Sequence, residues 1–227
     1  MTGLQVLSTL AVKGLMGELA AHLPGAAPEI VYAPTALLTE RIRGGARGDV
    51  AILTAAGIAA LAAEGVLDGT SRRDVAVSAV GVAVRAGAPH PDLSTPEAVR
   101  RLLREVPSLC YSRAGASGLH FARVIARLGI AEEVNAKATI VPSGFTAEAV
   151  ADGRCAIAIQ QVSELLVVPG IEVAGPLPDA IQETLTFSAA VFADTREAPA
   201  ARDLIEQITR AELAAAYARH GLRLASP

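Results

Sequence analysis

The chain repeats one short pattern three times in its first 64 residues: an apolar segment, a hydroxyl residue, and a segment with apolar side chains spaced three and four apart. The apolar segments predict strands and the spaced segments predict helices. The predicted strands are residues 4–8, 30–32 and 49–53, and the predicted helices are residues 9–23, 36–43 and 56–64. Strands that are each followed by a helix are typical of an α/β fold with parallel strands.

Hydroxyl side chains stand at the end of each of these strands. Ser8 and Thr9 follow the first strand, Thr35 the second and Thr54 the third. In parallel sheets, ligands bind outside the carboxyl ends of the strands, where helix N-termini present free N–H groups. These hydroxyls therefore predict a ligand site, and the alternative is that each is a plain helix cap, as expected for Thr35.

The pattern repeats in the second half of the chain. Residues 74–85 alternate β-branched side chains and predict one strand that crosses between two lobes. Residues 185–192 predict the strand that crosses back. The predicted lobes are residues 1–78 with 188–227, and residues 79–187, with a ligand cleft between them.

Two polar segments in the second lobe are candidate binding sites. The small-residue loop 113–118 leads into a helix predicted at 119–128. The backbone at Ala116 and Ser117 can approach an anion closely. Arg113 beside it can hold a carboxylate through two parallel hydrogen bonds.

The other segment follows the strand predicted at residues 155–159. Gln160, Gln161 and Ser163 place amide and hydroxyl groups at the carboxyl end of that strand. By the same argument as for the hydroxyls of the first lobe, they are candidate ligand-binding groups.

Composition and missing motifs argue against several classes of function. The net charge is −3, and no basic cluster or aromatic platform offers a surface for nucleic acid. No apolar run reaches the roughly 18 residues of a membrane-spanning helix. The sequence contains no HxH, HExxH or CxxC and no GxGxxG or GxxxxGK[ST], which argues against a metal and against a nucleotide cofactor.

Cysteine content and the N-terminus bear on cellular location. Cys110 and Cys155 lie in apolar strand-like runs, as small buried side chains or, alternatively, as a disulfide or reactive thiols. The first residues lack the basic start and apolar stretch of an export signal. The chain as it stands is expected to be cytoplasmic, or periplasmic if a signal has been removed.

The order of these motifs resembles the type II periplasmic binding-protein fold, in the branch of ModA-like molybdate-binding proteins. The motifs that carry the resemblance are residues 7–14, 48–53, 114–118, 127–130, 159–164, 169–170, 175–178 and 221–222. The resemblance implies two α/β lobes, each a mostly parallel sheet flanked by helices, joined by two crossover strands. It also implies a small anion held by hydroxyls and backbone amides in the cleft.

Individual positions carry over from this resemblance. Ser8 and Thr9 correspond to the first hydroxyl site, Thr35 to the second, and Ala116 with Ser117 to the small-residue turn. Gln160 falls near a position where molybdate binders place a Tyr. A Gln both donates and accepts hydrogen bonds, whereas a tetrahedral metal oxyanion needs donors only.

Two functions stay open at this point. One is a solute-binding protein, a cofactor-free monomer that captures a tetrahedral oxyanion or a di- or tricarboxylate by hinge closure and passes it to an ABC transporter permease. The other is an enzyme similar to aconitate isomerase, which this branch also resembles, moving an allylic proton in an unsaturated polycarboxylate. That chemistry needs a base. His120 is the first candidate, followed by Lys13, Tyr111 and Glu164.

Overall fold

Two separate sheets organise the chain, whose computed structural model describes residues 3–225. The first unit is Met1–Ser78 with Leu185–Pro227, and the second unit is Ala79–Thr184. The second unit is thus one continuous stretch of chain, whereas the first is built from the two ends.

The strands and helices alternate along most of the sequence. The strands are β1 (Gln5–Ser8), β2 (Glu29–Tyr32), β3 (Val50–Thr54), β4 (Leu67–Ser78), β5 (Val80–Arg85), β6 (Leu109–Tyr111), β7 (Ala138–Ile140), β8 (Ile157–Gln161), β9 (Ile171–Pro176), β10 (Leu185–Phe192) and β11 (Leu222–Leu224). The helices are α1 (Lys13–Ala20), α2 (Thr35–Arg43), α3 (Ala55–Ala63), α4 (Pro96–Glu105), α5 (Ala116–Arg127), α6 (Ala131–Lys137), α7 (Glu148–Ala151), α8 (Val162–Leu165), α9 (Ala198–Ile208) and α10 (Ala214–Arg219). Short 3-10 turns precede α1 (Leu10–Val12) and α10 (Ala211–Leu213).

The sheet of the first unit has the order β11-β4-β10-β3-β1-β2. β1 pairs in parallel with both β2 and β3, which places Ser8 beside Tyr32 and Ile52. The remaining pairs, β10 with β3 and β4 and β11 with β4, are antiparallel. The carboxyl ends of β1, β2 and β3 therefore lie along one edge of the sheet.

Both faces of this sheet are buried at the central strands β1 and β3. Val6 of β1 belongs to a core shared with α1, α9 and α10, whereas its neighbour Leu7 belongs to a second core shared with α2 and α3. In β3, Val50 likewise belongs to the first core and Ala51 to the second. Strands covered on both faces read as continuous apolar runs, which is why β1 and β3 show no polar alternation.

The sheet of the second unit has the order β7-β6-β8-β5-β9. β6 pairs in parallel with β7 and β8, and β5 pairs antiparallel with β8 and β9. Apolar side chains of α4, α5 and α6 pack on this sheet in a single core that includes Leu103, Phe121 and Val134. The carboxyl ends of β6, β7 and β8 share one edge, as those of β1, β2 and β3 do.

Gln182 joins the start and the end of the second unit. Its side-chain oxygen accepts a hydrogen bond from the Val80 N–H at 3.1 Å. Its side-chain nitrogen donates to the carbonyls of Val80 at 2.8 Å and Leu177 at 3.1 Å. The segment that leaves the second unit is thus fastened to the strand that begins it.

The predicted α/β class is confirmed, and several details differ. Each sheet is mixed, which corrects the expectation of mostly parallel sheets. The strand predicted at 74–85 is two strands, β4 and β5, which meet at Ala79 and pair in different sheets. Because the β-branched run is unbroken, the sequence does not indicate that the chain leaves one sheet and enters the other at this point. β11 and α6 were not predicted.

Several predicted element boundaries move at the sites of interest. α5 begins at Ala116, so Ala116 and Ser117 lie in its first turn and not in a loop. Pro34, not Thr35, is the N-cap of α2. Gln160 and Gln161 are the last residues of β8, where the prediction placed them after the strand.

Gly118 explains the early start of α5. A Cβ atom at this position would lie 1.3 Å from the carbonyl oxygen of Ser112, so α5 presses its first turn directly against the end of β6. No side chain fits there. The glycine is required by close packing, since its φ is not in the left-handed region.

We expect Gly118→Ala to destabilise the protein by about 3 kcal/mol, because overpacking at backbone contact distance forces α5 to shift. The exposed Gly17 in α1 has nothing within 4 Å of a built Cβ. As the matched control, Gly17→Ala should stabilise by about 0.5–1 kcal/mol. Urea unfolding of both variants measures this. An unfolding midpoint of Gly118→Ala equal to that of the wild type would contradict the packing argument.

Candidate functional site

The first unit gathers hydroxyl groups at one edge of its sheet. Ser8 ends β1 and is fully buried, and its hydroxyl donates to the Thr9 carbonyl at 3.1 Å. The Thr9 N–H donates to the Ile52 carbonyl at 2.8 Å, which extends the pairing of β1 with β3. Ser8 thus uses its hydroxyl proton within its own turn.

Thr9 and Thr35 face each other at this edge. Their hydroxyl oxygens are 3.3 Å apart, and Thr35 is the first residue of α2. One hydroxyl donates to the other, so a single bond uses only one of the two protons. α2 has no side-chain cap, which leaves its first N–H groups beside this hydroxyl pair. The arrangement suits an acceptor such as an anion.

Thr54 has a structural role that the sequence allowed for. It is the N-cap of α3, and its hydroxyl oxygen accepts a hydrogen bond from the Gly57 N–H at 3.2 Å. As an acceptor in this cap, it keeps its own proton available for donation.

Lys13 begins α1 at an exposed position in the same unit. Its ammonium nitrogen lies 5.7 Å from the centroid of the Tyr32 ring, within cation–π range. Burial raises the pKa of Tyr32 to about 12, so the phenol remains protonated at neutral pH. Lys13 supplies positive charge at the end of β2.

In the second unit, the first turn of α5 follows the end of β6. Gly115 is the N-cap of α5 and provides no side-chain cap, so the N–H groups of Ala116 and Ser117 lie in an uncapped first turn. Ser117 is buried in this first turn. The Ser112 hydroxyl accepts from the Ala114 N–H at 3.2 Å and fixes the turn.

Arg113 lies at the same strand end. Its guanidinium donates to the Tyr111 hydroxyl at 3.3 Å and to the Asn135 side-chain oxygen at 3.2 Å. Tyr111 also donates to Asn135 at 2.5 Å. Two of the five guanidinium N–H donors are used in this way, so the exposed group is oriented and still able to bind a carboxylate.

Gln160 is committed to the fold. Its side-chain oxygen accepts from the Thr146 N–H at 2.8 Å and the Thr146 hydroxyl at 3.0 Å. Its nitrogen donates to the Gly144 carbonyl at 3.2 Å. These bonds hold the loop after β7 against the end of β8, so Gln160 acts as a support for the predicted site and its amide is not directed to a ligand.

Gln161 differs sharply from Gln160. It is 1% exposed, and within the described part of the chain neither its side-chain oxygen nor its side-chain nitrogen has a hydrogen-bond partner. A buried donor or acceptor without a partner costs about 1–3 kcal/mol. A fold maintains such a group only against a stability cost, which makes Gln161 the strongest indication of a binding function in this unit.

Glu164 lies one helical turn further on, in α8, together with the buried Ser163. It is 7% exposed. Burial raises the pKa of this carboxyl from 4.5 to about 8, and hydrogen bonds from the Gln161 backbone and the Gln160 side chain offset only part of that effect. Glu164 is thus mostly protonated at neutral pH. An acidic residue three positions after an N-cap often bonds back to the cap in this way.

The structure argues against His120 as the base. The side chain is buried in α5, with its Nδ1 2.9 Å from the Glu183 carboxylate and its Nε2 3.0 Å from the Ile181 carbonyl. Glu183 also accepts from Arg123 at 2.5 Å. Burial lowers the pKa of His120, and the Glu183 charge opposes that shift. Both ring nitrogens are engaged by the segment before β10, so His120 fastens that segment to α5.

Among residues 3–225 no group of three or more His, Cys, Asp and Glu side chains is arranged to hold a metal ion. No helix in that range is long and apolar enough to cross a membrane. Cys110 and Cys155 are both buried and free.

Comparison with known proteins gives the class. Residues 4–223 match the family model described as bacterial extracellular solute-binding protein, so the chain belongs to that family. A curated relative, an aconitate isomerase from a Pseudomonas species, is 31% identical over 98% of this chain and 88% of its own length.

Solved structures share the fold. The periplasmic molybdate-binding protein of Azotobacter vinelandii has a TM-score of 0.82 at 18% identity, over 99% of both chains. The sulfate-binding protein of Mycobacterium tuberculosis has a TM-score of 0.75 at 15% identity, over 100% of this chain and 88% of its own. The tungstate-binding protein of Desulfovibrio alaskensis has a TM-score of 0.69 at 12% identity, over 100% of both chains. At such identities the likeness shows the type II periplasmic binding fold alone.

Some residues of the two edges had no sequence signal. Asn135 lies on the unpredicted α6, and Thr146 follows a loop glycine with nothing to indicate that it would bond to Gln160. Glu164 was named from its chemistry, and its burial could have been inferred from the apolar residues Val162 and Leu165 that flank it.

His120→Ala should lower the free energy of unfolding by about 1–3 kcal/mol, because the Ile181 carbonyl and the Glu183 carboxylate lose their partner. His22, an exposed residue after α1, is the control, and His22→Ala should change stability by no more than about 0.5 kcal/mol. Thermal or urea unfolding measures both. Unchanged stability in His120→Ala would show that the fastening role assigned here is wrong.

Glu164→Gln should become increasingly stabilising, relative to the wild type, as the pH rises from about 5 to 8. The pKa of Glu164 is raised in the native state from 4.5 to about 8, so over that range the native wild type binds more protons than the unfolded chain. Its stability therefore falls as the pH rises, and a glutamine does not titrate. The difference in unfolding free energy between the two proteins, measured at several pH values, tests this; a difference independent of pH would refute it.

Proposed function

We propose that this chain binds a small di- or tricarboxylate, in preference to a tetrahedral metal oxyanion. The observation that carries the proposal is the buried amide of Gln161, whose donor and acceptor both have no partner within residues 3–225. A hydroxy acid or a partly protonated polycarboxylate offers a donor as well as acceptors, whereas a fully ionised oxyanion only accepts. An amide with both functions unsatisfied fits the first kind of ligand better.

The other groups supply positive potential. The uncapped first turns of α2 and α5 present N–H groups, the Thr9 and Thr35 hydroxyls add a donor, and Arg113 adds a formal charge. An arginine fork binds a carboxylate through two parallel hydrogen bonds. The ligand cleft between lobes, hinge closure around the anion and monomeric action are parts of the same proposal.

Membership of the solute-binding family supports capture and delivery as the role of this binding. In that role the chain would pass its ligand to an ABC transporter permease. Export to the periplasm would follow from the role.

A melting-shift screen tests the ligand class. We expect trans-aconitate, cis-aconitate or citrate to raise the melting temperature, and molybdate, tungstate and sulfate at equal ionic strength to have little effect. A ligand at 100 times its dissociation constant stabilises by about 2.7 kcal/mol. A shift with the metal oxyanions alone would contradict the proposal.

The variant Gln161→Leu tests whether the melting shift depends on the Gln161 side chain. Replacement of an unsatisfied buried amide by an apolar side chain should leave the stability of the free protein unchanged or slightly higher, while the ligand-induced shift is lost. Gln5→Leu is the control, since the exposed Gln5 amide donates to Glu29 at 2.6 Å at the start of β1 and β2, and this change should leave the shift intact. Retention of the full shift in Gln161→Leu would remove the main support for the proposal.

A second candidate function is isomerisation of an unsaturated polycarboxylate without a cofactor. Two observations favour it: the relative at 31% identity is an aconitate isomerase, and Glu164 is a buried carboxyl with a pKa of about 8. Groups with pKa values near the working pH are suited to proton transfer. Incubation with trans-aconitate, followed by ultraviolet absorbance and proton NMR, distinguishes turnover from binding alone.

A further inference from the structure

We propose that Gln161 selects a polycarboxylate that carries a hydroxyl group, while the first turn of α5 holds one of its carboxylates. This inference rests on the proposed binding function and narrows its ligand class. It concerns the carboxyl edge of the second sheet, where a buried amide without partners in residues 3–225 lies on the same face as the start of a helix.

The side chain of Gln161 leaves β8 on the face that α5 covers. Gln161 pairs with Val80 of β5, so regular strand geometry extends to this residue. Successive side chains of a strand point to opposite faces, so Gln161 shares a face with Ile159 and not with Gln160. Ile159 packs in the same core as Phe121 of α5. The Gln161 amide therefore extends toward α5.

The first turn of α5 lies at the same edge of the sheet. Gly118 packs directly on the carbonyl of Ser112 just after β6, since a Cβ on Gly118 would lie 1.3 Å from that oxygen. β6 and β8 are neighbouring parallel strands, and adjacent strands lie about 4.8 Å apart. An extended glutamine side chain is about as long as this spacing. One small ligand can thus contact both the Gln161 amide and the first N–H groups of α5.

The two groups place different demands on a ligand. The start of α5, which has no side-chain cap among the described residues, offers donors only and favours an anion. The Gln161 amide offers a donor and an acceptor, both without a partner in the described part of the chain. An ionised carboxylate satisfies the amide nitrogen and leaves the amide oxygen unpaired. A hydroxy acid satisfies both, because its hydroxyl donates to the amide oxygen while another of its oxygens accepts from the nitrogen.

A protonated carboxyl group is the other way for a ligand to bring a donor. Carboxyl groups ordinarily ionise with pKa values of about 4, so this form is scarce at neutral pH. The start of α5 disfavours it further, because a helix N-terminus stabilises the ionised form. A hydroxyl group keeps its proton throughout this pH range. The hydroxyl is therefore the donor that suits this edge.

The test compares two pairs of ligands that differ by a single hydroxyl group: citrate with tricarballylate, and malate with succinate. Isothermal titration calorimetry on the full chain gives the dissociation constants, at equal ionic strength and at a pH where all carboxyl groups are ionised. We expect the hydroxyl-bearing member to bind about 10- to 100-fold more tightly, because its analogue leaves the buried amide oxygen without a donor. Equal affinities within both pairs would overturn the inference.

The variant Gln161→Leu assigns the difference to the amide. It should bind citrate no better than tricarballylate, whereas the control Gln5→Leu, at the start of β1, should keep the wild-type ratio of affinities. Urea unfolding of the ligand-free variants confirms that each is folded. A preference for citrate that persists in folded Gln161→Leu would overturn the role of Gln161. The comparison of ligands on the wild type holds even if this variant does not fold.

The outcomes separate this inference from the proposed function. If citrate and tricarballylate bind equally well, hydroxyl selection is wrong and the binding of polycarboxylates stands. The same conclusion follows if trans-aconitate, which has no hydroxyl group, binds as tightly as citrate. If no polycarboxylate binds or raises the melting temperature, the proposed function itself is wrong.

Discussion

Parallel pairing at the centre of each sheet decides where the polar groups of this protein gather. β1 with its neighbours β2 and β3, and β6 with β7 and β8, all end at the same edge of their own sheet. Helices that start at such an edge direct their free N–H groups to one place. The Thr9 and Thr35 hydroxyls and the first turn of α5 follow from this single constraint.

The second unit combines supports and unsatisfied groups in a small region. Gln160 uses its side-chain amide to hold the loop at Thr146, whereas the side-chain amide of the adjacent Gln161 has no hydrogen-bond partner within residues 3–225. Two neighbouring glutamines thus differ in role: one supports the fold, and the other has an unsatisfied amide. Glu164 is a buried acid in the same region. Each unsatisfied group lowers stability. Such a cost is common at functional sites, where local rules of good packing are broken.

The sequence predicted the α/β class and several strands that end in polar residues, because these depend on periodicity and chain order. It did not predict the division at Ala79, since strand partners depend on contacts distant in the chain. The sequence analysis also placed Ser117 in a loop. The helix starts earlier because Gly118 packs against Ser112, and a packing contact of this kind cannot be read from the sequence pattern. Roles within the site were least predictable: His120 looked like a base, and only the positions of Ile181 and Glu183 give it a structural task.

The bond between Gln182 and Val80 has a consequence for synthesis on the ribosome. Because the ends of the second unit are fastened together, its residues form a contiguous, self-contained sheet that can complete while translation continues. The first unit must wait, since β10 lies in the middle of its sheet and is among the last segments to emerge. Domains generally fold as the chain is made, from the N-terminal side onward. Here the inserted part finishes before the part that surrounds it in sequence, and the early strands stay without their central neighbour until then.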